Sequence, residues 1–362
     1  MLTTPQHDGF RMPGEFEPHA GCWMAWPHRP DNWRENAEPA QCAFVEVAKA
    51  ISQFEPLTMC ANANDWLHVR QLLPAHIRVV ELASDDAWLR DQAPTFVVND
   101  AGDVRGIDWT FNAWGSAYAN YELDTVIAQK ILEIERLPRY ATALVMEGGA
   151  FHVDGEGCCI TTEECLLNPN RNPHLSKDQI EAQLHEYLNV QKVIWLKDGV
   201  YMDGDTNGHV DNLCCFVRPG LVALGWTNDR SDPQYARSLD ALERLMQARD
   251  TKGRKLEVVK VPMPEPLCVS EVEFSGLKHF AATVGNAGYD DRAPGKRMAG
   301  SYINFYIANG GIVMPGFGMP QDEAAREVVQ ALFPERKVVQ VYSREILLGG
   351  GNIHCITQQQ PA

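Results

Sequence analysis

The chain has 362 residues, with 32 basic and 48 acidic side chains, a formal net charge of −16, and 45% hydrophobic against 22% charged residues. That balance excludes disordered, collagen-like and coiled-coil chains, and an acidic excess without any basic run opposes nucleic-acid partners, whose phosphates need Lys and Arg. No run of about 18 apolar residues offers a membrane span, and MLTTPQHDGF lacks the parts of a signal peptide, so the ten cysteines, with no Cys-x-x-Cys, read as reduced thiols of a cytoplasmic protein.

The first helical signal covers residues 40–53, where Phe44, Val47, Ala48 and Ile51 share one face. A β-run follows at 77–82. At Arg90 begins the first of five segments with a common layout: a polar or glycine-containing lead-in, an apolar β-run, then often a turn and a return strand. This one, RDQAPTFVVNDAGDVRGIDW, holds a strand at 95–99 and a turn at Asp100-Ala-Gly. The second, EGGAFHVDGEGCCITT from Glu147, turns at Asp154-Gly-Glu-Gly. Ser176 then caps a helix with the stripe Ile180, Leu184 and Leu188, and a strand follows at 190–196. The third, NGHVDNLCCFVRPGLVALGW from Asn207, turns at Pro219-Gly220 and precedes a helix at 232–249 and a strand at 256–261. The fourth, SYINFYIANGGIVMPGF from Ser301, turns at Asn309-Gly310-Gly311 before a helix at 321–333 and a strand at 337–342. The fifth is GGGNIHCITQQ from Gly349.

Alternating helices and strands give the α/β class. The five lead-ins start 57, 60, 94 and 48 residues apart, too irregular for a strict solenoid and suited to five ββαβ-like units with insertions. No linker divides the chain, so residues 1–362 are expected to form a single catalytic domain.

Four places carry candidate chemistry. Asp203-x-Asp205-x-Asn207-Gly208 begins like a calcium loop, yet Cys214 stands where the bidentate Glu is needed. On an extended segment residues two apart face one way, so His209 and Asp211 point together, with Asn207 and Asp205 before them if the strand reaches back. An imidazole beside carboxylates is an acid/base arrangement, though a surface loop would show the same letters. Asp91 lies at the mouth of the first hairpin, where the plain alternative is an ion pair with Arg90. Glu147 precedes two glycines that permit close backbone approach. Cys355 follows a flexible polar loop, unlike Cys158, Cys159, Cys214 and Cys215 in apolar runs. His354 adjoins it, but neighbours on a strand face opposite ways, which leaves His209 as the better base. Converged, Asp91, Glu147, His209, Asp211 and Cys355 suit a flat cation with an electrophilic carbon, such as a guanidinium clamped between carboxylates.

These motifs resemble the agmatine deiminase family of the guanidine-modifying superfamily. The likeness runs through RMPGEFEP (11–18), WMAWPHRPDNW (23–33), WLRDQAPT (88–95), FNAWG (111–115), EGGAFHVDGEG (147–157), NPNRNP (168–173), GDTNGHVDN (204–212) and GGGNIHCITQQQP (349–361), nearly the whole chain. It departs at Gln92-Ala93, where a residue such as Thr or Cys and then Gly is expected.

The resemblance implies a five-bladed α/β propeller of ββαβ units around a central site, agreeing with the five segments above. It implies Cys355 as nucleophile, His209 as general acid and then base, Asp91 and Asp211 as guanidinium clamps, and Glu147 as the partner of His209. It further implies hydrolysis of agmatine to N-carbamoylputrescine and ammonia through an amidino-thioether, with no cofactor, no metal and a homo-oligomer (dimer or tetramer) as the expected assembly. Asp205, with Trp88 and Trp114 as walls, is the candidate for the substrate's far ammonium. The rivals are a bacterial-type peptidylarginine deiminase, a non-catalytic propeller that binds RNA, and a metallohydrolase using Asp203, Asp205, His209 and Asp211.

Overall fold

The computed structural model describes residues 3–276 and 292–362. In chain order, β1 (His19–Ala25), α1 (Glu38–Ile51), β2 (Leu57–Ala61) and β3 (Arg78–Glu81) come first. Then follow β4 (Thr95–Val98), β5 (Val104–Thr110), α2 (Ile127–Glu135) and β6 (Arg139–Val145). The next group is β7 (Phe151–Val153), β8 (Cys158–Thr162), α3 (Lys177–Leu188) and β9 (Lys192–Leu196). After it come β10 (Cys214–Arg218), β11 (Leu221–Trp226), α4 (Pro233–Gln247) and β12 (Glu257–Pro262). The last are β13 (Tyr306–Ala308), β14 (Gly311–Gly316), α5 (Gln321–Leu332), β15 (Lys337–Tyr342) and β16 (Thr357–Pro361).

One pattern recurs in four of the sheets. The first two strands run antiparallel through a short turn, a helix crosses over, and the third strand lies parallel to the second. A parallel pair needs such a long crossover, and the helical stripes read from the sequence supply it. The fifth unit is assembled from distant parts of the chain. β16 pairs antiparallel with β1, α1 leads to β2 parallel to β1, and β3 extends that edge. The hairpin expected from Gly349 is therefore absent. The glycine run ends in turns and a single strand, whose antiparallel partner lies more than 300 residues earlier.

The helices keep their expected faces with small shifts of boundary. α1 starts at Glu38, two residues earlier than expected, because Pro39 suits a first helical turn. Ser176 and Gln179 form a reciprocal capping box at α3. Each crossover helix packs between its own sheet and the third strand of the preceding unit. α4 lies on β11 and β9, α5 on β15 and β12, and α1 on β15. Ile180, Leu184 and Leu188 of α3 share a core with Tyr140 and Leu144 of β6. Arg78 of β3 reaches Glu135 of α2 at 2.7 Å. The ring of a five-bladed α/β propeller is thereby closed, and β8, β11 and β14, each a middle strand, are buried throughout. Burial on both faces explains why they read as continuous apolar runs.

Candidate active site

The segment leading into the first strand of every unit points a polar side chain to one place. A helical turn, Leu89–Gln92, carries Asp91 ahead of β4. Glu147 and the turn Gly148–Ala150 precede β7, and His209 opens the turn Val210–Asn212 ahead of β10. Asn304 stands two residues before β13, and Cys355 two before β16. All five expected catalytic residues are buried. A Cβ built on Gly149 would lie 2.6 Å from His209 Nδ1, 2.9 Å from Asp211 Oδ2 and 3.1 Å from Asp91 Oδ1. Three functional groups thus surround a position only glycine can fill. Gly351 does the same for sulfur, its Cβ falling 3.0 Å from Cys355 Sγ and 2.6 Å from Trp88.

Several local expectations need correction. Residues 203–212 form turns and a 3-10 segment instead of an extended strand, so His209 and Asp211 meet the site through a tight turn and not through β alternation. Asp205 stands apart from them on the cleft wall, 3.6 Å from Arg292. Arg90 does not pair with Asp91. It is buried against Glu15 at 3.2 Å, and its backbone N–H donates to the Cys355 carbonyl. His354 is not turned away from the surroundings of the Cys355 sulfur, because residues 353–356 form a turn; its Nδ1 lies 2.8 Å from Asp211 Oδ2. The metallohydrolase set is not assembled, since Asp203 accepts from the backbone and hydroxyl of Thr206 at 3.1 and 2.7 Å. Among the described residues, Glu147, Cys165 and His209, and separately Glu15, His152 and His354, are close enough to share a cation.

The electrostatics divide the labour. His209 lies between two acids, its Nδ1 3.9 Å from Asp91 and its Nε2 3.5 Å from Glu147, with no hydrogen-bond partner at either nitrogen. Burial opposes its charge, yet Asp91, Cys165 and Glu147 outweigh that and hold its pKa well above the ordinary value, favouring imidazolium. Burial likewise works against the Glu147 carboxylate, but Arg171, donating from Nε at 2.7 Å, and His209 keep it below the usual range. Asp91 accepts from the Gly149 backbone and from Trp114 Nε1, both at 2.9 Å. Burial, with Asp211 and Glu147 adding to it against His209, pushes its carboxyl up to about 6. Asp211 is held low, burial being outweighed by His354. Its Oδ1 is buried with no hydrogen-bond partner, placed to accept an N–H from a ligand. Cys355 Sγ lies 3.5 Å from Asp211 Oδ2 and 3.1 Å from Asn304 Nδ2. Burial, then Asp211 and Asp91, push the thiol well up, and Asn304 offsets part of this.

Above this floor opens a cleft of about 800 Å³, its mouth included, with Trp88 and Trp114 in its walls. Trp88 stacks on Trp33 at 5.1 Å, and both indole N–H groups donate to Asp86. Asp86, Arg171, Asn304 and Glu15 were not singled out in the sequence. Asn304 had a findable signal, because SYIN occupies in the fourth unit the place that EGG and NGHVDN occupy in theirs. Arg171 sits in NPNRNP, a motif whose letters carry no local chemistry.

Comparison with known proteins agrees with this geometry. The description of Porphyromonas-type peptidyl-arginine deiminases matches residues 11–361. An agmatine deiminase of Stutzerimonas stutzeri is 56% identical over all of this chain and 98% of its own length. One from the plant Medicago truncatula is 54% identical over all of this chain and 99% of its own. A solved agmatine deiminase of Enterococcus faecalis superposes with a TM-score of 0.92 at 46% identity, covering 99% of this chain and 98% of that one.

Proposed function

This chain belongs to the Porphyromonas-type peptidyl-arginine deiminase family, and from that membership and the site we infer that it hydrolyses agmatine to N-carbamoylputrescine and ammonia. It is a hydrolase of the C–N bond in a linear amidine, on a route to putrescine. The observation that carries the assignment of roles is the convergence of one polar side chain from each of the five lead-ins on one buried floor.

The guanidinium lies between Asp91 and Asp211, its N–H groups meeting the carboxylates, Asp211 Oδ1 included. Cys355 Sγ attacks the guanidinium carbon and a C–S bond forms. His209 gives its proton to one amino group, which leaves as ammonia as the C–N bond breaks. The amidino-thioether is then attacked by water, from which His209 takes a proton. The C–S bond breaks, the sulfur leaves, and the ureido product remains. Glu147, fixed by Arg171, holds the His209 charge and orientation. In the empty site the thiol is protonated; the bound cation offsets the two nearby carboxylates, so substrate itself promotes ionisation.

The far end of the substrate favours agmatine over arginine. An α-carboxylate needs a cation, and among the described residues the two arginines on the cleft are committed. Arg29 is forked onto Asp31 at 2.7 and 3.0 Å, and Arg292 donates to the Gly349 carbonyl and contacts Asp205. An ammonium instead suits Asp86 and the indole walls, with Asp205 beside them sharing its charge with Arg292. Among the described residues no helix is long and apolar enough to cross a membrane. We extend the reading to a cytoplasmic homo-oligomer acting on a small diffusible cation, without cofactor or nucleic-acid partner.

Ammonia release from agmatine, compared between the native protein and Cys355→Ala, tests the assignment. A loss of at least about a thousandfold is expected, as for removal of a covalent nucleophile. Ammonia from arginine or an arginyl peptide but not from agmatine would overturn the substrate, and undiminished activity in Cys355→Ala would overturn the nucleophile.

A further inference from the structure

Beneath the catalytic floor lies a second layer of buried charge that the reaction above does not use. We propose that Glu15 and His354 are positioning residues of the deiminase site, linked in a chain that fixes the Asp211 carboxylate beside the Cys355 sulfur and places an imidazolium to offset its charge, so that the sulfur ionises more easily. This rests on the reading of the site given under Proposed function.

Glu15, His354 and Asp211 are each at most 3% exposed. His354 Nδ1 is 2.8 Å from Asp211 Oδ2, and its Nε2 is 3.0 Å from both oxygens of Glu15. A neutral imidazole carries a proton on one nitrogen only, so two flanking carboxylates can both accept only from imidazolium. Glu15 also meets Arg90 Nη1 at 3.2 Å and His152 Nε2 at 3.5 Å. His152 Nδ1 accepts from the Phe216 backbone at 3.2 Å, which leaves its proton on Nε2 and the ring neutral. The layer then holds two anions, Glu15 and Asp211, and two cations, Arg90 and His354. That balance is what makes buried ions tolerable, and removing one member leaves an uncompensated charge.

The layer reaches the sulfur by two routes. Asp211 Oδ2, the oxygen bound by His354, is the one 3.5 Å from Cys355 Sγ. Arg90 also fixes the chain around the nucleophile, its Nε donating to the His354 carbonyl at 3.3 Å and its backbone N–H to the Cys355 carbonyl at 3.1 Å. The titratable and charged groups facing His354 are Arg90, Glu15, Asp211 and His152, with Cys355 its chain neighbour and Cys215 beside the two acids. The sign follows. Without the imidazolium charge, only Arg90 is left to offset Asp211 and Glu15, and an anion beside a thiol raises the pH at which it ionises. Neutralising Glu15 works by a different path: it takes away one of the two carboxylates that keep His354 charged, and so weakens the charge that offsets Asp211 beside the sulfur.

The test uses the native protein, His354→Asn, Glu15→Gln and the double variant. Asn keeps an N–H near the place of Nδ1 but loses the charge and the link to Glu15. Agmatine turnover gives kcat and KM, and alkylation of Cys355 by chloroacetamidine, a cationic amidine, is followed against pH. Each single variant is expected to lower kcat about tenfold or more and to move the alkylation midpoint up by about one pH unit, which is about tenfold less thiolate at fixed pH. The double variant is no worse than the worse single, since both break one chain. An unmoved midpoint in a folded variant, or additive losses, overturns the proposal. Should His354→Asn not fold, the near-isosteric Glu15→Gln decides by the same criteria, and failure of both to fold assigns the layer to the fold alone and also overturns it. If the native protein releases no ammonia from agmatine, the assigned activity fails instead.

Discussion

Asp91 has the most informative titration in the site. Its carboxyl is pushed up to about 6 by burial and by the neighbouring Asp211 and Glu147, and in the role proposed for it only the ionised form clamps a guanidinium. The free enzyme therefore loses substrate affinity as pH falls through that value, since the proton favours the form that cannot bind. The acid limb of kcat/KM for agmatine, which reports the free enzyme, should bend near pH 6 and fall about tenfold per unit below it. A profile flat from pH 7 to 5 would contradict the clamp. The same environment explains which functional residues could be read from letters. Cys355 stood out among ten free cysteines because it follows a glycine run, and His209 and Asp211 because an imidazole and an acid sit two apart. Glu15 and Arg171 do not stand out, and His354 is set aside by strand alternation, because their roles come from partners 339, 24 and 143 positions away in the chain. No local pattern encodes such a pairing.

At the level of elements, legibility follows from how local the cause is. Four hairpins were visible because Gly, Asn, Asp and Pro specify their turns within a few residues. The fifth unit was misread, because β16 finds its antiparallel partner in β1 and nothing near Gly349 announces it. The 203–212 segment fits a strand or a surface loop by its letters, because its polar and glycine residues suit both, and the structure makes it turns and a 3-10 segment. β1 is held on both sides, by β16 and by β2, and Gly21 is the tight point. A Cβ there would lie 2.7 Å from the Pro56 backbone oxygen, which accepts from the Cys22 N–H at 2.9 Å. A backbone carbonyl cannot swing aside without giving up that bond. Gly21→Ala should therefore cost about 1–3 kcal/mol by overpacking, more than the roughly 0.4–1 kcal/mol gained by restricting the unfolded chain. Urea unfolding would show this as a lower midpoint with unchanged slope. A midpoint equal to the native one would mean that β1 and β2 can part at no cost.

Across the whole molecule, ring closure and site assembly are the same event. Each unit delivers its lead-in to the centre, and the sulfur is placed by the strand that closes the ring, so no smaller part of the fold holds the complete set. The charge of the chain acts on the same centre from further away. Of the formal −16, Asp31, Asp86, Asp91 and Asp205 line the cleft itself; among the described residues Arg29 offsets Asp31 and Arg292 offsets Asp205, which leaves the cleft net negative through Asp86 and Asp91. Agmatine carries two positive charges at neutral pH, one on the guanidinium and one on the far ammonium, and a cleft of net negative charge raises the local concentration of such a ligand. Screening weakens this field, the Debye length falling from about 10 Å at 0.1 M salt to about 3 Å at 1 M. Bond making occurs on a buried floor between groups in contact, where salt has little access. Raising sodium chloride from about 20 mM to about 500 mM should thus lower kcat/KM for agmatine severalfold, mostly through KM, with kcat nearly constant. Alkylation of Cys355 by neutral iodoacetamide, measured over the same range, should show no such decline. A kcat/KM that stays level or rises with salt would mean that the acidic surface serves solubility alone and that contact interactions in the cleft account for substrate capture.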